Sequence, residues 1–290
     1  MLHKEWFTFV EYNGIPYPQG YSSQIREIAA HFDKEDIEEA EKYSLHTEYS
    51  YGKRKFNTDQ IQQYSELKQA HRENVPQLWK SIEWAGEFAD FIIGLTADRN
   101  PPSVIEIHPP FDDYCTMEEF VERFKCFEQK IHATYPKVEI LMENRSGTVY
   151  RGGKFLIGRA CEIVEFCKLI EKHQLRLGIV LDFPQLLTAE NINPSKFNIE
   201  KYQSAIRSIA EYSKYIKGIH IWGKRKSDSG RWIAHCGNLQ TYFSNDEAVK
   251  TEFIRGIKEI CADTIKRFLV AEVNSGSDDI KSILEDLFEE

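Results

Sequence analysis

The sequence lacks the long apolar stretch of a membrane-spanning helix, since no uninterrupted apolar run approaches about 18 residues. The N-terminal segment MLHKEWFTFVEY has no hydrophobic signal-peptide core, and the six cysteines show no CxxC spacing. Cys161 and Cys167 fall in a helical pattern, and we interpret them as buried thiols in a reducing compartment. Together these absences predict no membrane partner and a cytoplasmic location.

The sequence also has no excess of basic residues. The chain has 37 Lys and Arg against 46 Asp and Glu, which gives a net charge of −9. No overall positive field is therefore available to hold nucleic acid or an anionic membrane, although a local patch is still compatible with this total. The sequence has no linker rich in Gly, Ser and Pro, no solenoid-type repeat and no low-complexity segment. Residues 1–290 are predicted to form a single domain, and this length suits one large barrel.

Apolar, strand-like runs recur along the chain, and six of them end in a residue that can bind a metal. These residues are His46, His108, Glu143, Asp182, His220 and Glu272. The successive intervals from His108 to His220 are 35, 39 and 38 residues, about one strand and one helix each. Parallel strands that alternate with helices, with functional groups at the strand ends, are typical of a (β/α)8 TIM barrel.

The N-terminal part of the chain fits this barrel least well. WFTFVEY is typical of a strand, but SQIREIAAHF has helical spacing, and Asp33 is a suitable N-cap for a second helix over DIEEAEKY. Residues 57–94 carry one long helical pattern. Only seven strands are therefore predicted with an obvious pattern, so the α/β barrel has either a cryptic N-terminal strand or a degenerate, missing N-terminal βα unit.

Four of the strand-end residues predict a metal site. In a closed barrel, Glu143, Asp182, His220 and Glu272 would meet in one cup, and three carboxylates together cannot all stay ionised without a cation. Mixed oxygen and nitrogen ligands suit Zn²⁺ or Mn²⁺, with Mg²⁺ and Fe²⁺ as alternatives. His46 and His108 could hold a second ion together with Glu143. The alternative is that these groups are rim residues that pair with nearby Lys or Arg, or histidines satisfied inside the barrel.

The ordered motifs HTEY, IHPP, MENRSG, LDFPQ, IHIWG, HCGN and VAEVNS resemble the xylose isomerase-like barrel superfamily, and most nearly its endonuclease IV (apurinic/apyrimidinic endonuclease) branch, over residues from about 6 to 285. The resemblance implies one zinc at His46, His108 and Glu143. It implies a second at Glu143, Asp182, His220 and Glu272.

The third zinc of that branch lacks most of its ligands in this sequence. Gln185 stands where the branch has a histidine, and Ile233 stands where it has an aspartate, so only His235 matches. The departure favours two metals or one over three. Sugar isomerases and epimerases of the superfamily need only the set of two glutamates, one aspartate and one histidine, and they fit those residues equally well.

Basic loops follow three of the predicted strands. They contain Lys53, Arg54 and Lys55; Arg145, Arg151, Lys154 and Arg159; and Lys224, Arg225, Lys226 and Arg231. Aromatic residues interleave there, namely Tyr49, Tyr51, Tyr150 and Trp222. A positive mouth on an acidic body suits a phosphorylated substrate, either a nucleic-acid backbone or a sugar phosphate, and the rings could stack on bases or a sugar. The alternative is that some of these charges are solvated loop residues. The predicted substrate-binding residues are Tyr49, Arg145, Gln185, Trp222, Lys224 and Arg225.

Several functions are compatible with these features. The first is a metal-dependent phosphodiester hydrolase that acts on DNA with an abasic site or on a phosphorylated small molecule, with Glu143 bridging two ions and Glu272 or Asp182 orienting water. The second is a sugar or sugar-phosphate isomerase or epimerase in which Glu143 or Glu272 moves a proton. The third is a multinuclear iron oxygenase, and the fourth is a non-catalytic binding barrel. Nothing in the sequence indicates an oligomeric state.

Overall fold

The computed structural model describes residues 2–50, 52 and 56–289. Its strands are β1 (Phe7–Glu11), β2 (Ile25–Ala30), β3 (Tyr43–Thr47), β4 (His71–Arg72), β5 (Val75–Pro76), β6 (Val104–Ile107), β7 (Glu139–Glu143), β8 (Leu177–Asp182), β9 (Ile216–Ile221), β10 (Lys224–Lys226), β11 (Trp232–Ala234) and β12 (Arg267–Ala271). Eight of them close into a parallel barrel in the order β1-β12-β9-β8-β7-β6-β3-β2, while β4–β5 and β10–β11 form two small antiparallel hairpins. The predicted TIM barrel is confirmed.

The helices pack around the outside of the barrel. They are α1 (Asp59–Gln62), α2 (Ser65–Gln69), α3 (Ile82–Leu95), α4 (Met117–Thr134), α5 (Ala160–His173), α6 (Phe183–Ala189), α7 (Ile199–Ala210), α8 (Leu239–Tyr242), α9 (Glu247–Ile260) and α10 (Ser277–Phe288). Within the described part of the chain, no helix combines the length and the apolar character needed to cross a bilayer.

The N-terminal helices of the sequence analysis are wrong. SQIREIAAHF forms β2, which pairs with β1 through Val10 and Ile25 and with β3 from Arg26 to Ala30. It is the cryptic eighth strand, so the barrel is complete. Backbone pairing on both edges outweighs the weak helical preference of a short segment. DIEEAEKY is irregular apart from its last residue, which starts β3, and Asp36 and Glu39 bind Arg99 instead of opening a helix.

The long helix predicted over residues 57–94 is also wrong in its first part. Two short helices, α1 and α2, precede the β4–β5 hairpin, and only then does α3 begin. Glu73 and Asn74 have φ values of 52° and 63° at the hairpin turn. Two consecutive residues in the left-handed region are typical of a tight two-residue hairpin turn and are incompatible with a continuous helix.

The later helices follow the sequence closely. The predicted capping box of α4 is confirmed, since Thr116 Oγ1 accepts from the Glu119 amide at 3.2 Å and Glu119 Oε2 accepts from the Thr116 amide at 2.8 Å. In α5, Cys167 is buried as predicted, but Cys161 is exposed because it lies on the solvent side of the helix.

The barrel interior has an apolar layer beneath a polar one. Val104, Leu141 and Val180 pack against Phe268 near the amino ends of the strands. Because side chains alternate along a strand, the residues two positions further on also face inward. On β7 and β8 those residues are Glu143 and Asp182. The alternation therefore places ionisable groups together at the carboxyl end of the barrel, where TIM-barrel active sites lie.

Candidate metal centre at the carboxyl ends of the strands

All six predicted strand-end ligands lie inside the barrel. Glu143 and Asp182 are fully buried, and His108, His220 and Glu272 are at most 3% exposed. The side chain of His46 is 14% exposed. Burial of this many ionisable groups in one place is costly unless they are paired or bind a cation.

Two histidines and one glutamate converge on a single point. The Nε2 atoms of His46 and His108 are 3.1 Å apart, and His108 Nε2 lies 2.7 Å from Glu143 Oε2. The outer nitrogens are held by acceptors: His46 Nδ1 lies 3.1 Å from Glu27 Oε1, and His108 Nδ1 lies 3.2 Å from the Glu48 carbonyl. Metal-binding histidines have this arrangement, in which the outer nitrogen donates to a carboxylate or carbonyl and the inner one faces the metal.

The protonation states of His108 and Glu143 favour a cation between them. Burial lowers the pKa of His108 to about 4 against the pull of Glu143, so its ring is neutral at pH 7. With the proton on Nδ1, the Nε2 lone pair faces the carboxylate of Glu143. Burial opposes the ionised form of Glu143, but the guanidinium of Arg145 holds its pKa well below the ordinary range. A lone pair and a carboxylate oxygen in contact need a positive charge between them.

In this structure His46 supplies part of that charge. Burial opposes its protonation, but the carboxylates of Glu27, Glu106 and Glu143 outweigh it and raise the pKa of His46 to about 9. The protonated ring can donate from Nε2 towards His108, while Glu143 Oε2 lies 3.8 Å away. The proton on His46 therefore lies where a metal ion would bind, and a metal ion would neutralise these three side chains more completely.

Asp182, His220 and Glu272 lie beside this cluster. His220 Nδ1 lies 3.0 Å from Glu272 Oε1, and although burial opposes its protonation, the carboxylates of Glu106 and Glu272 hold the pKa of His220 well above its ordinary value. Glu143, Asp182 and His220 have ligand atoms within 4.8 Å of one another. Burial, with repulsion from Glu143 and Glu272, holds the pKa of Asp182 well above its ordinary range. Without a cation, this carboxyl is kept in its neutral form.

Local structure positions Asp182 accurately. Its Oδ1 accepts from the Gln185 amide at 2.8 Å and caps α6, and its Oδ2 accepts from Trp222 Nε1 at 2.9 Å. Asn144 bridges β7 and β8, because its side chain accepts from the Asp182 amide and donates to the Asp182 carbonyl. The predicted residues Trp222 and Gln185 therefore orient the centre, and Gln185 Oε1 also accepts from Ser146 Oγ at 2.5 Å.

Two carboxylates of the centre were missed by the sequence analysis. Glu106 Oε2 lies 3.2 Å from His220 Nε2, and its Oε1 is buried without a hydrogen-bond partner. Glu106 precedes His108 by two residues, so strand alternation alone could have identified it. Glu27 binds His46 and groups with His220 and Glu272. It was missed because its segment was interpreted as a helix, where period two does not apply.

The other predicted residues lie at the mouth of the centre. Arg145 Nη1 donates to Glu143 Oε1 at 3.1 Å, and its guanidinium lies 5.2 Å from the Tyr49 ring centroid. His235 stacks on Trp222 with ring centroids 4.5 Å apart, and its Nδ1 lies 3.4 Å from Glu272 Oε2. It is close to the centre but belongs to none of the convergent ligand groups among the described residues.

The basic loops contribute less positive charge than the sequence suggests. Arg145 is paired with Glu143, and Arg159 is paired with Glu162 at the start of α5. Lys224 and Arg225 lie on the β10–β11 hairpin, where Arg225 is exposed. Tyr51, Lys53, Arg54 and Lys55 lie outside the described residues.

The residues present fit a metal site. The buried Glu106 Oε1 has no hydrogen-bond partner among the described residues, and the donor set of imidazole nitrogens and carboxylate oxygens is one that Zn²⁺ and Mn²⁺ accept. Buried polar atoms that are left unpaired in this way are uncommon and point to a missing ion or water.

Comparison with known proteins finds no matching family model and no matching curated protein. Among solved structures, the chain is similar to 3-keto-D-glucoside 4-epimerase YcjR from E. coli (10% identity, 97% of each chain covered, TM-score 0.46). It is similar to the probable 3-DHS dehydratase AsbF from Bacillus anthracis (13% identity, 86% of this chain and 76% of that chain, TM-score 0.41). A third is a xylose isomerase domain protein from Planctomyces limnophilus (16% identity, 70% of this chain and 62% of that chain, TM-score 0.37). Similarity at this level does not assign a function.

Proposed function

We propose that the chain is a divalent-metal-dependent enzyme. The observation that carries this proposal is the convergence of His46 Nε2, His108 Nε2 and Glu143 Oε2, with both outer histidine nitrogens already held by acceptors. One ion would be held by these three residues. A second would be held by Glu143, Asp182, His220 and Glu272, with Glu143 shared. Zn²⁺ or Mn²⁺ suits the mixed ligands best, and Mg²⁺ or Fe²⁺ is the alternative.

The reaction that the geometry favours is proton transfer on a small hydroxylated carbonyl compound, that is, isomerisation or epimerisation of a sugar or sugar phosphate. The side chains of Glu143, His220 and Glu272 are 0%, 1% and 4% exposed, so the centre suits a small substrate enclosed by the barrel mouth. Bound ions supply Lewis-acid stabilisation at substrate oxygens. Glu272, or Glu143 where only one ion is bound, would be the carboxylate that moves the proton, as general acid–base catalysis requires.

Phosphoester hydrolysis is the second candidate, and the second ligand set favours it. Two ions that share a carboxylate are typical of phosphoester hydrolases, in which Glu272 or Asp182 would orient the attacking water. The resemblance to endonuclease IV supports the same reaction, with a phosphorylated small molecule or DNA with an abasic site as substrate. The pairing of Arg145 with Glu143 removes one positive charge that a nucleic-acid backbone would use.

Elemental analysis of the purified protein tests the metal proposal. We expect nearly two divalent ions per chain, and we expect His46→Ala with His108→Ala to remove one and leave the other. One tight ion that the double variant does not affect would exclude the shared site and leave the single-ion isomerase. If the protein binds no ion and Zn²⁺ and Mn²⁺ do not change its melting temperature, the metal proposal is wrong. Tightly bound iron would favour the oxygenase instead.

The reaction is tested on the metal-loaded protein with two readouts. Incorporation of deuterium from D₂O next to the carbonyl of a ketose or ketose phosphate, followed by NMR, indicates isomerisation or epimerisation. Cleavage of bis(4-nitrophenyl) phosphate or of a short abasic-site duplex indicates hydrolysis. Duplex binding should also weaken steeply with salt if phosphates are contacted. Asp182→Asn is the inactive control for both reactions.

A further inference from the structure

A cavity of about 440 Å³ lies beside the metal centre, between the segment that follows α6 and the β10–β11 hairpin. Its volume is within the range of small-molecule sites. Two larger cavities of about 720 Å³ lie elsewhere, one between α5 and α7 and one at the amino ends of the barrel strands. Of these three cavities, the one at the hairpin is lined by residues that pack against Trp222 of the centre.

Trp222 does not line the cavity itself, but it joins Lys224, which does, to the centre. The indole of Trp222 donates to Asp182 Oδ2 at 2.9 Å, so it is part of the centre. The ammonium of Lys224 lies 5.1 Å from the Trp222 ring centroid and 5.7 Å from that of Tyr242, and both Lys224 and Tyr242 line the cavity. A ligand in the cavity can therefore extend along Lys224 towards the carboxylates.

Lys224 is a partly buried cation without an ion-pair partner. Desolvation lowers the pKa of its ammonium, while the more distant Asp182 pulls the other way. No carboxylate of the described residues forms a salt bridge with it. Most other partly buried cations are paired, as Arg145 is with Glu143 and Lys250 with Asp286. A half-buried ammonium that faces a cavity is a natural partner for a ligand anion.

The remaining walls suit a carbohydrate. Trp232 is 48% exposed and lines the cavity, with Lys226 Nζ 5.3 Å from its ring centroid. Asn191, Asn193 and Ser195 on the opposite wall supply amide and hydroxyl groups, which both donate and accept hydrogen bonds. An aromatic face opposite several small polar groups is the usual composition of a pocket that orients a polar ring.

We infer that this cavity binds the anionic end of the substrate, a sugar phosphate or sugar acid, with its anion on Lys224 and its ring between Trp232 and the two asparagines. The inference rests on the proposed function, because the reacting end of the same substrate would lie at the metal centre. It specifies an anionic sugar as the substrate. The set of Glu143, Asp182, His220 and Glu272 does not by itself distinguish an anionic sugar from a neutral one.

The test measures binding to the metal-free, full-length protein by titration calorimetry at low salt. The probes are ribose 5-phosphate, glucuronate, neutral ribose and inorganic phosphate. We expect ribose 5-phosphate or glucuronate to bind and ribose to bind much more weakly. The anion that binds better identifies the natural group as phosphate or carboxylate. Equal binding of ribose and ribose 5-phosphate, or no binding of either anion, would overturn the inference.

Variants locate the binding. Lys224→Met should weaken the anionic sugar by about tenfold, which corresponds to the loss of one charged hydrogen bond. Lys196→Met is the matched control, because Lys196 is an exposed neighbour that does not line the cavity. The affinity of this variant for the anionic sugar should be unchanged. Trp232→Ala should weaken ribose 5-phosphate but not inorganic phosphate. Equal losses in both lysine variants would indicate unspecific attraction and reject the site.

The outcome separates this inference from the proposed function. If the protein binds two metal ions but its affinity for the anionic sugar does not depend on Lys224, the proposed function is supported and the subsite is rejected. A protein that binds no metal but still takes up the anionic sugar at Lys224 keeps the subsite and loses the metal-dependent function. Circular dichroism of each variant confirms that the barrel is folded.

Discussion

The two ends of the barrel differ in how their buried charges are paired. At the amino end, Arg267 begins β12 with a side chain only 1% exposed, and Asp263 accepts from its Nη1 at 2.6 Å and from its Nη2 at 2.9 Å. The carbonyls of Ser213 and Ile260 accept further bonds from Nη2. At the carboxyl end, Glu143, Asp182 and Glu272 crowd against one another, and burial together with repulsion from Glu143 and Glu272 holds the pKa of Asp182 above its ordinary range.

The difference separates a structural charge from a functional one. A charge that stabilises the fold is matched by an opposite charge and by hydrogen bonds, as Arg267 is. A cluster of like charges, such as the one in which burial, Glu143 and Glu272 raise the pKa of Asp182, destabilises the fold and is typical of functional sites. The comparison therefore predicts that substitutions at the two ends will have different consequences.

The largest effect on stability is expected at the amino end. Asp263→Ala leaves Arg267 buried without its carboxylate, which should lower the free energy of unfolding by about 3 kcal/mol. Urea unfolding measures this change, and elemental analysis should show an unchanged metal content. A variant that loses metal but keeps its stability would remove the distinction between the two ends.

The largest effect on metal binding is expected at Glu143. Glu143→Gln should weaken metal affinity by about 100-fold or more, since a shared ligand should matter at least as much as the outer groups that orient ligands. The fold should persist, because the barrel core does not depend on this residue. Glu139→Gln is the matched control, as it makes the same change on the same strand at the other end of β7 and should leave affinity unchanged. Full metal retention in Glu143→Gln would exclude the bridging role.

In the metal-free protein, a change of pH is expected to have a smaller effect on the stability of the fold. His46 has a folded pKa of about 9 against an ordinary value of 6.5, since its carboxylate neighbours outweigh burial. The folded state therefore binds more protons than the unfolded state between these values. The stability from His46 is complete below pH 6.5 and is lost as pH rises to 9.

Thermal melts of the metal-free protein from pH 6.5 to 9 test this dependence. The melting temperature should fall across that window, and saturating Zn²⁺ or Mn²⁺ should flatten the slope because the ion replaces the proton. His46→Gln should flatten it without metal. A slope that survives in His46→Gln would assign the dependence to other groups.

The smallest effect is expected at the capping box of α4, far from either charge cluster. Thr116→Ala removes the acceptor for the Glu119 amide and should cost about 1 kcal/mol of unfolding free energy. Metal content and its pH dependence should not change. Thr116→Ser, which keeps the hydroxyl, is the control and should lose much less stability.

Local pattern was enough for much of the fold and for most of the candidate ligands. Strand runs that end in His108, Glu143, Asp182 and His220 recur at one strand–helix interval, and this period alone predicts a barrel with its ionisable groups at one end. The capping box of α4 was predictable because both of its partners lie within four residues. These features depend on spacing along the chain.

Tertiary structure decided the N-terminal strand and the remaining ligands. The segment around Glu27 becomes a strand because β1 and β3 offer backbone partners on both sides, and such partners are not visible in local spacing. Glu27 could therefore be assigned to the centre only from the closed barrel, whereas Glu106 follows from its spacing of two residues from His108. Arg145 follows Glu143 by two residues and offsets its buried negative charge, and its predicted role in substrate binding stays a prediction. The sequence determined which groups face the interior, whereas the pairing of those groups followed from long-range contacts that bring distant strands together.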